Sequence, residues 1–414
     1  MFATTDRSSS DEVYPRRAAG VNPCRYFRAA APALVVLHAA VGGCTMDGSR
    51  VTAAPGQRFY PVGIRYGVEP VASAQGPDWP VQLDADLATI NRMGLNTVFL
   101  RHVDAEAFAT VAAAARRHHL KMVLPDRPAQ YYVMTGRPES GVEPAPRFTN
   151  RTGPLAETLW AVDLGYASDQ ASVERLERVA ASYRTKTPLP PTFAESAGAR
   201  PQSVAFLASA PACAGLGQAA GRPMMTLRCD HGPGESSAAA VRRWLGQFHR
   251  ALAEGLTGGL VIDQYRSVPG PGSALADADG KVGVERINAV KRLAARLQLW
   301  GPMLDRLDRK PYPTSPGAAN ALSITLFAKD QRRLLLVFND SRSEYLRTNI
   351  TLDEVIDGLP AKRLVEVPGD AEPALGAVLE ARRGGLVLPL DLAPGDARLY
   401  EVFSAERRDT GRVR

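Results

Sequence analysis

Residues 222–266, RPMMTLRCDHGPGESSAAAVRRWLGQFHRALAEGLTGGLVIDQYR, constrain the fold more than any other stretch. Positions 224–228 are a short apolar run suited to a buried strand, followed by a Gly/Pro turn carrying Asp230, His231 and Glu235. Val241, Trp244, Leu245, Phe248 and Leu252 then recur at steps of three and four, one face of a helix that Gly255 stops. A second apolar run, 259–262, ends in Asp263 and Tyr265. Strand, helix, strand with short connections is a parallel crossover unit. In a barrel of such units, polar residues at the strand ends gather on the rim where chemistry is placed. Asp230 and Glu235 also fit cap and turn roles at a helix N-terminus, and both readings stay open.

The same alternation runs upstream. An extended segment, 58–67, has Arg65 and Tyr66 at its end, and Leu83, Leu87 and Ile90 trace a helix face closed by Gly94. Strand 96–101 ends in Arg101. The next helix buries Phe108, Val111, Ala112 and Ala115, and its last turn carries Arg116, Arg117, His118 and His119, which suit a helix C-terminus better than a metal. Strand 120–124 leads to Asp126. Segment 128–154 is rich in Gly and Pro and reads as a long loop, with Tyr131, Tyr132 and Phe148 either stacking on sugar or anchoring the loop. Strand 159–164 contains Trp160 and is followed by Tyr166, Ser168 and Asp169, then by a helix burying Val173, Leu176, Val179, Ala180 and Tyr183. Runs 191–194, ending in Glu195, and 203–208 supply the fifth and sixth strands. A last helix carries Val284, Ile287, Val290 and Leu297 and ends near Trp300, Gly301 and Pro302.

From residue 321 the pattern changes to short strands (323–328, 334–339, 347–352, 361–367, 385–390, 397–403) separated by turn residues, which predicts an antiparallel β-sandwich. The fold class is therefore α/β, a (β/α)8 TIM barrel over 58–310 followed by a linker at 311–320 and a small C-terminal antiparallel β-sandwich over 321–403. A polar tail, 404–414, closes the chain. A length of 414 residues suggests two domains, or one large barrel with an appendage.

The formal charge of +7 is spread along the chain, and no Lys/Arg run has interleaved aromatics, so nucleic acid is not an expected partner. The six histidines lack metal-ligand spacing; neither a metal nor another cofactor is expected. Residues 29–40 form an apolar run too short to span a bilayer but matching the core of a secretory signal. With its basic flank, Arg25 and Arg28, and the tetrapeptide VGGC at 41–44, it resembles a bacterial lipobox, although the leader before it is long and partly acidic. That resemblance implies a signal segment over 1–44, a lipid on Cys44, a linker over 45–57, an exported chain held at the cell envelope, facing the periplasm from the outer membrane, and membrane contact only through the anchor. Cys213 and Cys229 would remain, either paired in an oxidising compartment or as buried thiols.

FYPVGIRYG, followed by DADLATINRMGLNTVFLR and by the late Ala251, Gly255 and Gly258, resembles barrel glycoside hydrolases of the large retaining clan that includes β-galactosidases and cellulases. The resemblance extends over about 215 residues, from Phe59 to Arg266. It implies a carbohydrate ligand and two catalytic carboxylates. The family's general acid on strand four falls at Ala167, so the acid is absent there, and Asp169 or Glu195 would have to replace it. The nucleophile position falls on Asp230, with Glu235 as a second candidate. Arg65, Tyr66, Arg101, Asp126, Trp160, Tyr166, His231, Asp263 and Tyr265 would form the surrounding shell. Two functions follow: a hydrolase cutting a polysaccharide or oligosaccharide, or a catalytically impaired relative that binds glycan or supports polysaccharide export.

Overall fold

Eight short apolar runs pair in sequence order and close a parallel barrel in the computed structural model. The structure describes residues 59–67, 79–101, 107–139, 141, 144–148, 152–185, 191–196, 204–209, 222–228, 235–265, 275–276, 282–312, 321–369, 378–380 and 386–404. The strands are β1 (Val62–Gly67), β2 (Thr97–Arg101), β3 (Lys121–Pro125), β4 (Leu159–Ala167), β5 (Thr192–Ser196), β6 (Phe206–Ser209), β7 (Arg222–Leu227) and β8 (Leu260–Ile262). Closure is made by β8 against β1, with Val62 opposite Leu260 and Ile64 opposite Ile262.

Strand alternation sorts the side chains into two layers. Phe99, Val123, Ala161, Phe193, Ala208, Met224 and Val261 fill the barrel interior. Val62, Ile64, Val98, Leu100, Met122 and Leu124 point outward and join the helix-facing core. Gly63 faces inward, where a Cβ would fall 2.4 Å from the Thr97 carbonyl oxygen and 2.7 Å from the Phe99 ring. Only glycine leaves that ring its place.

The helices are α1 (Trp79–Arg92), α2 (Phe108–Arg117), α3 (Arg127–Thr135), α4 (Gly153–Thr158), α5 (Gln170–Arg184), α6 (Ser237–Ala253) and α7 (Val284–Leu304). Their apolar faces are the ones the spacing predicts: Leu83, Leu87 and Ile90 on α1, Val111, Ala112 and Ala115 on α2, Trp244, Phe248 and Leu252 on α6 are all buried. Three expectations need correction. The start of the expected loop at 128–154 is helical: residues 127–135 form α3, because Asp126 caps it, a proline sits in its first turn, and Gly136 at φ 73° ends it. Ala129, Tyr132 and Val133 give it a buried face too short to stand out as a period. Val284, expected on the buried side of α7, is exposed at the helix start, and α7 continues through Pro302 to Leu304.

The C-terminal strands are β9 (Asp308–Pro311), β10 (Leu322–Lys329), β11 (Arg332–Asn339), β12 (Leu346–Leu352), β13 (Val355–Ile356), β14 (Leu359–Pro360), β15 (Arg363–Val367), β16 (Val378–Glu380), β17 (Leu386–Leu392) and β18 (Ala397–Phe403). A six-stranded sheet in the order β16-β15-β18-β11-β10-β9 is covered on one face by the β12–β17 pair. The β-domain sheet thus begins at β9, ahead of the expected linker at 311–320, since β9 pairs with β10. On β11, Leu335 and Val337 enter the sandwich core, while Leu334, Leu336 and Phe338 join Trp244 and Trp300 of the barrel helices. The all-apolar run LLLVF follows from burial on both faces. Barrel and β-domain belong to one compact unit, Pro55–Arg414.

Polar contacts fix the seam. His249 on α6 donates from Nδ1 to the Gly395 carbonyl (2.7 Å) and accepts at Nε2 from Arg296 Nη1 (2.9 Å). Arg296 also reaches Asp396 Oδ1 at 2.8 Å, and Trp300 Nε1 donates to the Pro368 carbonyl at 2.9 Å.

Candidate functional site

Charged side chains on a parallel barrel are tolerated where the inward positions reach the last layer before solvent, and several meet there. Arg65, inward on β1, is 5% exposed. Its guanidinium ion-pairs with Glu195 of β5 and donates from Nη1 to Asp263, just past β8. Arg101, at the end of β2, has its nearest Nη 3.8 Å from the same Asp263 oxygen. Both carboxylates touch one guanidinium, so their nearest oxygens lie within about 8 Å of each other at ordinary hydrogen-bond lengths. That is inside the range of two-carboxylate sugar chemistry. The space between them, however, is filled by Arg65.

Asp163 of β4 completes the cluster. It lies beside Pro125 in register with β3 and beside Phe193 on β5, and its Oδ1 accepts from the Gly165 N–H at 2.8 Å. Burial pushes its carboxyl above the usual carboxylate range, against the pull of that N–H and the charges of Arg65 and Arg101. For Arg65, burial and then the neighbouring Arg101 charge lower the guanidinium pKa, with Asp263 and Asp163 opposing. Asp163 was not foreseen. Its signal was a single acid inside an apolar strand, LWAVDLGYA.

An irregularity in β4 decides which residue reaches the cleft. Asp163 is opposite Phe193 and Tyr166 opposite Glu195, so three positions on β4 match two on β5. Gly165 takes φ 99° there. The extra residue reverses the alternation. Tyr166 therefore shares the face of Glu195 and is 52% exposed, whereas Ala167 turns outward into a fully buried cluster with Ala194 and Leu176. Position 167, aligned with the family's acid, does not face the cleft.

Of the sequence-derived candidates, Arg65, Arg101, Glu195 and Asp263 come together, and Tyr166 stands beside them. Several others are elsewhere. Tyr66 points outward, with its hydroxyl 2.8 Å from Asp86 of α1, and Tyr265, fully buried, packs at 5.8 Å between ring centroids against it. Both lie one step out of phase with the inward positions. Trp160, expected in the shell around the site, is at the opposite mouth, 5.3 Å from the Phe59 ring and 4.5 Å from that of Phe206, because it lies at the start of β4. Asp126 is fully buried as the cap of α3, accepting from Ala129 N–H at 3.3 Å and from the Tyr183 hydroxyl at 2.6 Å. Asp169, expected as an acid, caps α5 in a reciprocal box with Ser172, and those hydrogen bonds hold its carboxyl below the usual range, the opposite of what a proton donor needs. Glu235 holds Arg243 through both oxygens at 3.1 and 2.8 Å. Of the loop aromatics, Tyr131 is exposed, Tyr132 is buried, and Phe148 packs 5.9 Å from Phe108. Asp230, His231, Cys44, Cys213 and Cys229 lie outside the described residues.

Among the described residues no group of three or more His, Cys, Asp or Glu is arranged to hold a metal ion, and no helix is long and apolar enough to cross a membrane.

No protein-family model and no curated protein sequence matches the chain. Solved structures do. An α-amylase from Anoxybacillus superposes with a TM-score of 0.51 at 11% identity, covering 84% of this chain and 99% of its own. A GH36 α-galactosidase from Geobacillus stearothermophilus, solved with stachyose, gives a TM-score of 0.50 at 11% identity, covering 84% of this chain and 56% of its own. At such identities the likeness is one of fold. With eight parallel strands closed in order and an antiparallel β-domain docked on the last two barrel helices, the chain has the glycoside-hydrolase-like (β/α)8 fold.

Proposed function

We propose that the carboxyl-terminal rim binds carbohydrate without cleaving it, making this a glycoside-hydrolase-like glycan-binding protein of the cell envelope. The observation that carries the reading is the sharing of one buried guanidinium by Glu195 and Asp263. A two-carboxylate mechanism needs a sugar or a water between its acid and its base. Arg65 occupies that space. What faces outward suits binding: the Tyr166 ring for stacking on a sugar face, and the free edges of Arg101 and Asp263 for hydroxyl groups. The rim is where barrels of this kind place their ligand sites, and the stachyose complex of the α-galactosidase of like fold supports sugar as the ligand class.

Asp163 favours a second reading, hydrolysis. Its burial-raised pKa lets it hold a proton on the inward side of β4, the strand that carries the acid in the resembling family. Calorimetric titration with an oligosaccharide library, run beside a reducing-end assay, separates the two. Binding lost in Tyr166→Ala with no sugar released supports the first reading. Turnover abolished by Asp163→Asn replaces it with the second, and binding to no glycan removes both.

Attachment to the envelope belongs to the same proposal and rests on the lipobox-like VGGC at 41–44. Palmitate labelling in a bacterial host should mark the wild type and not Cys44→Ser; equal labelling of the two sinks the anchor.

A further inference from the structure

The charges of the rim are layered, and the layering bears on what it selects. Arg65 lies deepest, its side chain 6% exposed, against Glu195 at 22% and Asp263 at 36%. One cation facing two anions leaves this deep layer one unit negative, and Arg101 balances it. Asp163 adds a further acid, but burial opposes its ionisation. Arg101 is the outermost of the group, 48% exposed. Among the described residues it donates no hydrogen bond, and the Asp263 oxygen it pairs with, at 3.8 Å, is beyond hydrogen-bond reach and already accepts from Arg65.

Beside Arg101 the surface is open among the described residues. Its register partner on β1 is Gly67, and a Cβ built there would meet nothing within 4 Å. A planar guanidinium whose donors meet no hydrogen-bond acceptor among the described residues therefore borders an open step at Gly67, on the same rim as the exposed Tyr166. Arg228, just past β7, is also exposed. The Arg101 charge disfavours that of Arg65 beneath it. An anion seated over Arg101 would offset that repulsion while forming a paired, two-bond contact of the kind guanidinium makes with carboxylate.

We propose that the rim selects an acidic glycan, with Arg101 binding the carboxylate of a uronic-acid-type sugar in the open step beside Gly67. This rests on the reading of the rim as a carbohydrate site. Arg101 is the specificity-determining group; Tyr166 and Asp263 bind features common to acidic and neutral sugars.

The test is calorimetric titration of the full chain with an oligogalacturonide and with the same oligosaccharide after reduction of its carboxyls to alcohols. The acidic form should bind at least about tenfold more tightly, the ratio expected for a hydrogen-bonded charge pair. Raising the salt should shrink that ratio, because the contact is solvent-exposed and screened. Arg101→Gln should bring the ratio close to one and Arg101→Lys should restore part of it, with thermal midpoints unchanged because Arg101 is half exposed. Equal affinity for the two forms, or a preference that Arg101→Gln leaves intact, overturns the proposal while the glycan site stands. Competition by inorganic sulfate as strong as by the oligogalacturonide also overturns it, in favour of a simple anion site. Binding of neither oligosaccharide by a chain that also binds no library glycan is the separate failure of the carbohydrate reading.

Discussion

Arg65 shows how one side chain can organise a rim. A guanidinium offers donors on two edges in a fixed fork, so it can be held by carboxylates arriving from β5 and from β8 at once. A lysine at 65 would keep the charge and lose the fork. Arg65→Met should destabilise the protein by about 2–4 kcal/mol, because two acids are left facing each other without a partner; partial exposure of Asp263 keeps the loss below the full cost of breaking a buried pair. Urea denaturation of the variant checks this, and a midpoint equal to wild type would mean the cluster is not holding the strand ends together. Asp126 and Asp169 teach the converse. Both are acids at the ends of barrel strands, and both face a helix N-terminus instead of the cleft.

At the scale of an element, β4 matters most. A regular strand from Asp163 would have aimed positions 165 and 167 inward, and Ala167 would have stood in the cleft as the missing acid. The added residue at Leu164–Gly165 aims Tyr166 there instead. The conformation depends on glycine, since Gly165 sits at φ 99° with Gln130 Cγ only 3.1 Å from where a Cβ would be. Gly165→Ala should cost about 1–3 kcal/mol for the strained backbone and should weaken glycan binding by misplacing Tyr166. A melt and a titration on the same sample test both parts. Loss of stability with full binding would show that the irregularity does not aim the ring.

For the whole molecule, the seam between barrel and β-domain carries a titratable group. Burial, reinforced by the Arg296 charge, pushes the His249 imidazole down to about 3. Its folded value lies below the ordinary value of about 6.5, so the folded state prefers the neutral ring. That contribution is fully present above pH 6.5 and is lost as the pH falls toward 3. At about 1.4 kcal/mol per unit over about 3.5 units, the loss reaches about 5 kcal/mol by the acid end. Burial alone would raise the Asp396 carboxyl, but Arg296 and His249 hold it low, so its own contribution fades only below the ordinary aspartate range. Carboxyls raised by burial, such as Asp163, titrate in the same window, so the difference in slope between wild type and a His249 variant between pH 6.5 and 4 reports on His249. Urea midpoints across that interval should fall for the wild type and stay flatter for His249→Gln, whose amide can still donate to Gly395 and accept from Arg296. Parallel slopes would show that the seam does not couple to this proton.

The order of elements was legible because each depends on local pattern: apolar runs of strand length, helix faces at steps of three and four, and Gly94 and Gly255 stopping helices at positive φ. With that order come the parallel sheet, its closure and the antiparallel β-domain. Direction along the barrel was partly legible too, since Arg65, Arg101, Glu195 and Asp263 all end strands. What local pattern could not supply was phase and partnership. Whether Tyr66 or Arg65 faces the interior depends on one step of alternation, and which residue of β4 reaches the cleft depends on an inserted position with no composition of its own. Whether an acid caps a helix, as Asp169 does, or meets a guanidinium, as Glu195 does, is settled by residues far away in the chain, because electrostatic partners are chosen by distance in space and only the closed barrel brings β1, β5 and β8 within reach of one another.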